Sequence, residues 1–364
     1  MSAIRVGIIG ANPDQGWASR AHIPALRALD GFEITAVGTR REESAREAAR
    51  RFGVPHHFTD PRALAAHPDV DLVAITVKVP AHDELIRAAL GAGKRVFSEW
   101  PLTRTTEEAE AVVKLAADAG VRTAVGLQAR FAPAAEQARR LLADGFVGRV
   151  TSVTVHAALY KGADGTVPSW SAYTSDVRNA AGTLEVSGGH HLDLVRHLLG
   201  PIAELSATTA VQRRQYTVAE TGEPVPVDSP DQVAVIGTLA SGATLSAHIH
   251  YAKVTAPGTR IEIAGTEGDL ILVARGGYGV QIDDLVLLGN REPGGAPQEI
   301  AVPDELNLLP ASLNGTQAAN VARLYQAIGA SSASVPTFAD ALELHRLLDV
   351  VRRSAETGAR LPAA

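Results

Sequence analysis

Short apolar runs alternate with amphipathic helical patterns over the first 130 or so residues of the chain. The apolar runs predict strands at 4–10, 32–39, 70–77, 95–99 and 122–127, and the helical patterns predict helices at 22–28, 41–52, 82–92 and 106–119. The third run is almost continuously apolar, as a strand buried on both faces should be. Strand–helix alternation with short connections predicts a Rossmann-type, doubly wound parallel sheet.

The pattern changes after about residue 148. Strands of alternating character are predicted at 150–159, 202–211, 232–239, 244–250, 259–263 and 270–274, with helices at 189–199, 316–328 and 338–357. Gly-rich turns separate the strands, which predicts an α+β domain with an open, mostly antiparallel sheet. We therefore expect a dinucleotide-binding domain over 1–126 and a substrate and dimerisation domain over 127–364, with the C-terminal helix able to pack back on the first.

The composition narrows the function classes. Net charge is −6 with no long run of either sign, so nothing indicates a nucleic-acid or membrane surface as a partner. The chain has no cysteine, which excludes thiol nucleophiles and disulfides. No apolar stretch approaches the roughly 20 residues that span a bilayer, and the N-terminus has no signal-peptide pattern. We expect a cytoplasmic protein.

The histidine-rich positions do not predict a metal site. His248 and His250 share one strand face, but they lack carboxylate partners at ligand spacing. The same holds for the pair His56-His57. The expectation from the sequence is that no metal is bound.

A dinucleotide-binding turn is predicted where the first strand ends. Gly10 directly follows the apolar run, and Gly16 and Trp17 precede the next helix. Asn12 stands where the second glycine of G-x-G-x-x-G would be, and asparagine tolerates positive φ better than most residues. Such a turn presents free backbone amides to a pyrophosphate. The alternative is an ordinary strand–helix turn.

The tip of the second strand indicates which dinucleotide binds. Thr39, Arg40 and Arg41 stand there, with no acid for a ribose 2′-hydroxyl. Two guanidiniums beside a hydroxyl suit a 2′-phosphate, which favours NADP over NAD. The alternative is a solvated helix start.

Several segments together resemble the Gfo/Idh/MocA family of two-domain oxidoreductases. The segment 88–102, ending in Glu99-Trp100-Pro101-Leu102, is similar to that family's A-L-x-A-G-K-x-V-x-x-E-K-P-L pattern, and 126–133 is similar to its G-x-x-x-R-F-x-P. His190-His191-Leu192-Asp193 resembles its H-x-x-D helix, and 261–268 resembles its sheet turn. The E-W-P sequence and the long first turn resemble a branch that includes a fungal galactose-pathway repressor.

The resemblance implies roles for particular residues. Cofactor contacts are implied for Thr76, His82, Glu99, Trp100 and Gln128, with Glu99 on the nicotinamide ribose. His190 is implied as the proton-transfer residue, and Arg130 and His191 as substrate contacts. The Trp100 indole could stack on the nicotinamide or on a sugar ring, or bind a side chain of a protein partner. Two departures stand out: Trp100 replaces the family's catalytic lysine, and Val186 stands where its acid is expected, with Glu185 one place off.

Proton transfer then depends on few groups. His190, with an ordinary pKa of about 6.5, could act alone as the base, and Asp193 one helical turn later could orient it. The alternative for His190 is a histidine satisfied within the core. Lys78, just past the 70–77 strand, is a second candidate that could contact a cofactor phosphate, donate to substrate or remain in solvent.

An aromatic-dense segment is the candidate substrate surface. Tyr160, Trp170 and Tyr173 fall within 14 residues, and rings with polar handles suit a sugar or cyclic polyol. A surface loop packed on the sheet is the alternative.

We expect an NAD(P)-dependent oxidoreductase of a sugar, cyclic polyol or similar small polar metabolite. Two rivals are a catalytically silent dinucleotide sensor that acts through a protein partner and a redox-neutral epimerase. The family's open sheet face pairs with a neighbouring subunit, which implies a homodimer or a dimer of dimers.

Overall fold

The computed structural model describes residues 3–363, which fold as two compact units. The first unit comprises Met1–Gln128 together with Leu309–His345, and the second comprises Ala129–Leu308 together with Arg346–Ala364. The segment Leu309–His345 lies within the range that the sequence analysis placed in the second domain. The first unit is therefore discontinuous in sequence.

Within the described residues, the sheet of the first unit has six parallel strands in the order β3-β2-β1-β4-β5-β6. The strands are β1 Ile4–Ile9, β2 Phe32–Gly38, β3 His56–Phe58, β4 Leu72–Ile75, β5 Arg95–Ser98 and β6 Thr123–Val125. All four residues of β4 are buried, as its continuous apolar run predicts. The predicted doubly wound parallel sheet is confirmed.

Seven of the nine α-helices within residues 3–363 lie at predicted positions, and those at Pro61–Ala66 and Pro133–Ala143 were not predicted. The nine helices are α1 Ile23–Arg27, α2 Glu42–Arg51, α3 Pro61–Ala66, α4 His82–Gly91, α5 Thr106–Ala119, α6 Pro133–Ala143, α7 Gly189–Leu199, α8 Ala319–Gly329 and α9 Phe338–Thr357. Thr105 begins α5 by accepting a hydrogen bond from the Glu108 N–H, and left-handed Gly120 ends it. Among residues 3–363, no helix has the length and apolar character needed to cross a membrane.

The second unit is built on a large, mostly antiparallel sheet, as predicted. The remaining strands are β7 Val150–Ala158, β8 Thr166–Val167, β9 Ile202–Ala210, β10 Gln215–Val218, β11 Pro224–Pro226, β12 Gln232–Leu239, β13 Thr244–His250, β14 Gly258–Gly265, β15 Asp269–Ala274, β16 Leu285–Asn290, β17 Gln298–Glu299 and β18 Leu361–Pro362. The large sheet has the order β17-β16-β15-β14-β7-β13-β12-β9-β18, and β8, β10 and β11 form a small separate sheet. Strands β7 and β13 run parallel.

The two faces of this sheet differ. In β13, Leu245, Ala247 and Ile249 are buried, while the alternate residues are exposed or half-buried. Helix α6 packs against β15 and β16, and the Ser354 hydroxyl of α9 accepts a hydrogen bond from the Ala207 N–H of β9. We call the other side the outer sheet face; its central positions are Thr154, His156, Ser246, His248, His250, Gln232, Ala234 and Ile236.

Candidate functional site

The turn after β1 depends on two glycines. Gly10 has φ +100°, and a Cβ there would lie 2.7 Å from Cγ1 of Val77 and 2.9 Å from Oγ1 of Thr76. Gly16 has φ +123°, but the nearest atom to a Cβ would be the Gly10 carbonyl oxygen at 3.9 Å. The first glycine is required by close packing and the second by its backbone conformation. Space above Gly16 therefore leaves its backbone open to a ligand.

Asn12 does not adopt the glycine-like conformation expected for it. Among the described non-glycine residues, positive φ values occur at Ala180, Ala252, Ala256 and Ser331. The Asn12 Oδ1 atom instead accepts hydrogen bonds from the backbone N–H groups of Asp14 (2.9 Å) and Gln15 (3.2 Å). Asn12 shapes the turn through its side chain, as asparagine does in Asx turns.

The groups around this turn fit the phosphates of a dinucleotide. The Trp17 Nε1–H is buried and has no acceptor within residues 3–363. Lys78 follows β4 and Arg40 follows β2, and burial together with the nearby Arg40 charge lowers the pKa of Lys78. A buried donor without an acceptor and two neighbouring cations favour an anionic ligand.

The end of β2 is basic and accessible. Arg40 and Arg41 are both exposed. The Thr39 hydroxyl lies 3.0 Å from the Arg41 carbonyl oxygen and 2.5 Å from the Ser44 hydroxyl, so it holds the start of α2. Of the three predicted phosphate-binding residues, the two arginines thus remain open to a ligand.

Thr76 and His82 hold the backbone near the strand ends. The Thr76 hydroxyl donates a hydrogen bond to the Ile9 carbonyl oxygen at 2.9 Å. The His82 ring nitrogens lie 2.9 Å from the Pro101 carbonyl oxygen and 3.0 Å from that of Val77. Burial lowers the His82 pKa. In this structure both predicted cofactor contacts are engaged with the protein itself.

Glu99 is positioned by a buried histidine that the sequence analysis did not identify. The His22 Nε2–H donates to Oε1 of Glu99 at 2.8 Å, and His22 Nδ1 accepts from the Tyr325 hydroxyl at 2.8 Å. His22 and Tyr325 are fully buried. A Cβ on Gly126 would lie 2.6 Å from Oε2 of Glu99, so glycine there makes room for the carboxylate. The carboxylate is thereby held in one orientation.

Trp100 and Gln128 are both buried. Trp100 is 5% exposed, and its ring lies 4.9 Å from that of His345, centroid to centroid. The indole therefore packs inside the first unit instead of presenting an open stacking surface. The Oε1 atom of Gln128 is buried without a hydrogen-bond donor in the described part of the chain.

In the second unit, α7 carries two adjacent histidines with different surroundings. His191 is fully buried: its Nδ1–H donates to the Ser187 carbonyl oxygen at 2.6 Å, and its Nε2 accepts from the Thr259 hydroxyl at 3.2 Å. His191 is thus structural, in contrast to the substrate contact expected. His190 is 4% exposed, and its Nδ1 has no partner within residues 3–363.

Burial makes both histidines poor bases. It lowers the pKa of His191 to about 4, and burial together with neighbouring His191 lowers that of His190 to about 3. Burial therefore opposes the expectation that His190 acts alone as a base near neutral pH, which stays a prediction. The neutral ring can still exchange hydrogen bonds with a ligand through Nδ1.

The acids beside these histidines serve other partners. The Arg130 guanidinium binds Asp193 with two nitrogens, Nε at 2.8 Å and an Nη at 2.5 Å, and Asp193 is almost fully buried. The predicted orientation of His190 by Asp193 is wrong, and Arg130 is engaged in this pair instead of facing a substrate. Glu185 accepts from the Gly182 N–H at 3.1 Å and from Arg352 at 3.0 Å.

Lys161 was missed from the sequence as a candidate proton-transfer residue. Its Nζ donates to the Thr174 hydroxyl at 2.6 Å and lies 5.1 Å from the centre of the Tyr251 ring. The Tyr251 hydroxyl lies 2.9 Å from Oγ of Ser187, whose carbonyl oxygen accepts from His191. Burial lowers the Lys161 pKa to about 8. The only signal in the sequence was its place in the aromatic-dense segment.

That segment divides into exposed and enclosed rings. Tyr160 and Trp170 are 45% and 50% exposed. Tyr173 is half-buried, and burial raises its pKa to about 12, so it remains protonated. Tyr173 is next to Thr174, which is the hydrogen-bond acceptor of Lys161.

The parallel sheet and the glycine turn after β1 define a Rossmann-type dinucleotide-binding protein. The chain belongs to the Gfo/Idh/MocA family: residues 4–127 match its NAD-binding Rossmann oxidoreductase domain, and residues 135–271 match its C-terminal domain. The family resemblance found in the sequence is confirmed. The cofactor class is a nicotinamide dinucleotide.

The relatives include enzymes and a regulator. A super-repressor mutant of Gal80p from Saccharomyces cerevisiae has a solved structure that is 26% identical, with a TM-score of 0.87, covering 100% of this chain and 98% of that one. Dehydrogenase aclE of Aspergillus oryzae is 28% identical over 98% of this chain and 97% of its own. D-apiose dehydrogenase of Paraburkholderia graminis is 31% identical over 79% of this chain and 72% of its own.

Proposed function

We propose that this protein is an NAD(P)-dependent dehydrogenase of a sugar, cyclic polyol or similar small polar metabolite. The observation that carries the proposal is Lys161, a half-buried amine whose pKa lies at about 8. An amine in that range can exist in either protonation state near neutral pH, as a general acid–base group requires. The family's catalytic lysine is replaced by Trp100, and Lys161 supplies an amine in its stead.

The first unit supplies the groups for the dinucleotide. The open backbone at Gly16, the Trp17 indole N–H and Lys78 suit its pyrophosphate, Arg40 suits a 2′-phosphate, and Glu99 suits a ribose hydroxyl. When bound, the nicotinamide supplies or accepts the hydride.

The second unit supplies proton transfer and substrate orientation. Oxidation of a carbinol requires loss of the hydroxyl proton, and neutral Lys161 is the better base because the pKa of His190 is about 3. His190 serves as a neutral hydrogen-bonding group through its unpartnered Nδ1. Tyr160 and Trp170 offer exposed rings to the apolar faces of a sugar.

A panel of sugars and polyols, followed at the reduced-nicotinamide absorbance band, tests the activity. On any substrate found, Lys161→Met should lower kcat about 10²–10⁴-fold, the usual range for loss of a general base. The oxidation rate of the wild type should rise with pH through about 8, and this rise should disappear in Lys161→Met.

Lys114→Met is the matched control, because Lys114 lies on the surface, paired with Asp118. Thermal unfolding of each variant establishes that it folds. A Lys161→Met enzyme with wild-type turnover and an unchanged pH profile would remove Lys161 from the chemistry. Bound dinucleotide without turnover on any member of the panel would contradict the dehydrogenase proposal.

A second candidate is a catalytically silent dinucleotide sensor that acts through a protein partner. It is supported by the replacement of the family lysine by the buried Trp100 and by the engagement of Glu185 with Arg352. A regulator among the relatives adds to this support. Calorimetry showing dinucleotide binding, together with dinucleotide-dependent retention of a partner and no turnover, would favour this candidate over the enzyme.

A further inference from the structure

Three imidazoles meet on the outer sheet face, and none of them has a role in the proposed function. His156 of β7 is directly opposite His248 of the parallel strand β13, and His250 is two residues further along β13. The ring centroids of His248 and His250 lie 4.8 Å apart, and that of His156 lies 6.2 and 5.8 Å from theirs. One nitrogen from each ring lies within 4.8 Å of the other two.

Hydrogen bonds orient two of these rings for ligation. Nε2 of His248 lies 3.1 Å from Oε1 of Gln232, and Nδ1 of His250 lies 3.3 Å from the Tyr251 carbonyl oxygen. When each of these nitrogens donates, the proton is fixed there, and the lone pair is left on Nδ1 of His248 and on Nε2 of His250. Outer hydrogen bonds of this kind are typical of metal-binding histidines.

The rings are also accessible from solvent. His156 and His248 are exposed and His250 is half-buried. Arg260, opposite His156 on β14, donates to Glu262 at 3.0 Å, so the nearest carboxylate on that strand is already engaged. The ligand set is three nitrogens.

We propose that His156, His248 and His250 form a site for a divalent transition-metal ion, with Zn²⁺ as the occupant that suits it best. Three histidines plus one solvent molecule give the four-coordinate geometry that Zn²⁺ adopts, with Zn–N distances of about 2.0–2.1 Å. Imidazole also suits copper and nickel. The side chains of His156 and His248 are exposed and not confined by packing, so they can rotate to bring their nitrogens to such distances.

A second histidine cluster in the first unit does not have the same properties. His56, His67 and Asp69 also approach one another. However, Asp69 accepts from Arg5 at 2.9 Å, and Nδ1 of His67 accepts from the Asp69 N–H at 3.2 Å. The carboxylate of this cluster is thus already paired with a cation, and one nitrogen of His67 already has a donor, which makes His56 a suitable control position.

The test uses the full chain without a histidine tag, freed of metal with a chelator. Calorimetry with Zn²⁺ should give one ion per chain, and Co²⁺ should develop the visible absorption of a tetrahedral site. His248→Ala should weaken Zn²⁺ binding about 100-fold or more, because loss of even an outer-shell partner typically costs 10- to 100-fold. His56→Ala should bind as the wild type does, and far-UV circular dichroism checks that both variants fold.

Three results would overturn the proposal. One is the absence of Zn²⁺ binding to the wild-type chain at micromolar concentration. Another is binding that His248→Ala leaves intact and His56→Ala abolishes. The third is a stoichiometry of one ion per two chains in the same calorimetry, because the proposed site takes all three histidines from a single chain.

Discussion

The Nε2 atom of His22 lies 2.8 Å from Oε1 of Glu99, and the other ring nitrogen of His22 lies 2.8 Å from the hydroxyl of Tyr325. His22 immediately precedes α1, Glu99 follows β5, and Tyr325 lies on α8. The Glu99 carboxylate, which the family resemblance implies at the nicotinamide ribose, is thus held by His22. His22 is in turn held by Tyr325, which lies more than two hundred positions after Glu99 in the sequence. Rigid support of this kind maintains the geometry of a binding group.

Removal of the Tyr325 hydroxyl should destabilise the first unit. Tyr325→Phe leaves Nδ1 of the fully buried His22 without its donor, which should lower the free energy of unfolding by about 1–3 kcal/mol. Urea denaturation monitored by circular dichroism measures the change. Tyr278→Phe, at a residue that is 59% exposed, is the control and should change stability little. Equal effects of the two substitutions would show that the hydrogen bond contributes nothing.

The Arg130–Asp193 pair should contribute strongly to the second unit. Asp193→Asn removes the buried charge that pairs with the half-buried Arg130 guanidinium, and we expect a loss of about 2–4 kcal/mol in unfolding free energy. Asp118→Asn, which breaks an exposed pair with Lys114, should cost less than about 0.5 kcal/mol. A small change in the unfolding free energy of Asp193→Asn would show that water replaces the carboxylate as the partner of Arg130.

Stability should fall as the pH is lowered below about 6.5. His190 and His191 have folded-state pKa values of about 3 and 4, so the unfolded chain takes up protons first and is favoured in acid. Each histidine contributes about 1.4 kcal/mol per pH unit below its unfolded pKa of about 6.5. His190→Leu should reduce the dependence of the unfolding free energy on pH between 6 and 4.5 by about one proton. If the unfolding free energy of His190→Leu depended on pH as that of the wild type does, the lowered pKa of His190 would be refuted.

Arg40 should confer a preference for NADP. A charge-assisted contact with the 2′-phosphate is expected to favour NADP over NAD by about 1–3 kcal/mol. Arg40→Ala should weaken NADP binding about 10- to 100-fold and leave NAD binding nearly unchanged. Calorimetry with both dinucleotides measures this, with the exposed Arg62→Ala as control. Equal affinity of the wild type for both dinucleotides would contradict the prediction.

The fold was predictable because its main signals are local. Strand β4 is a continuous apolar run and β13 alternates, so each is visible within a short window of sequence. The strand β3 and the helix α3, with three and six residues, escaped prediction because neither is long enough to show a period. Gly10 and Arg40 were singled out as candidates because Gly10 ends one predicted strand and Arg40 directly follows another.

The site was less predictable because its properties come from distant contacts and burial. Asp193 lies one helical turn from His190, yet its partner is Arg130, 63 positions earlier. The pKa of Lys161 falls because the fold encloses it, which its sequence neighbours do not reveal. The sequence placed His248 and His250 on one face, but only the register of β7 against β13 adds His156.

The return of Leu309–His345 to the first unit has a consequence for biosynthesis. Domains commonly fold in turn as a nascent chain leaves the ribosome, at about 5–20 residues per second. When Gln128 emerges, all six strands of the parallel sheet exist, but α8, which packs on α1, and Tyr325 have not been translated. The first part of the chain to be made therefore lacks its final segment until His345 has been synthesised, and we expect chaperones to bind its exposed apolar surface until then.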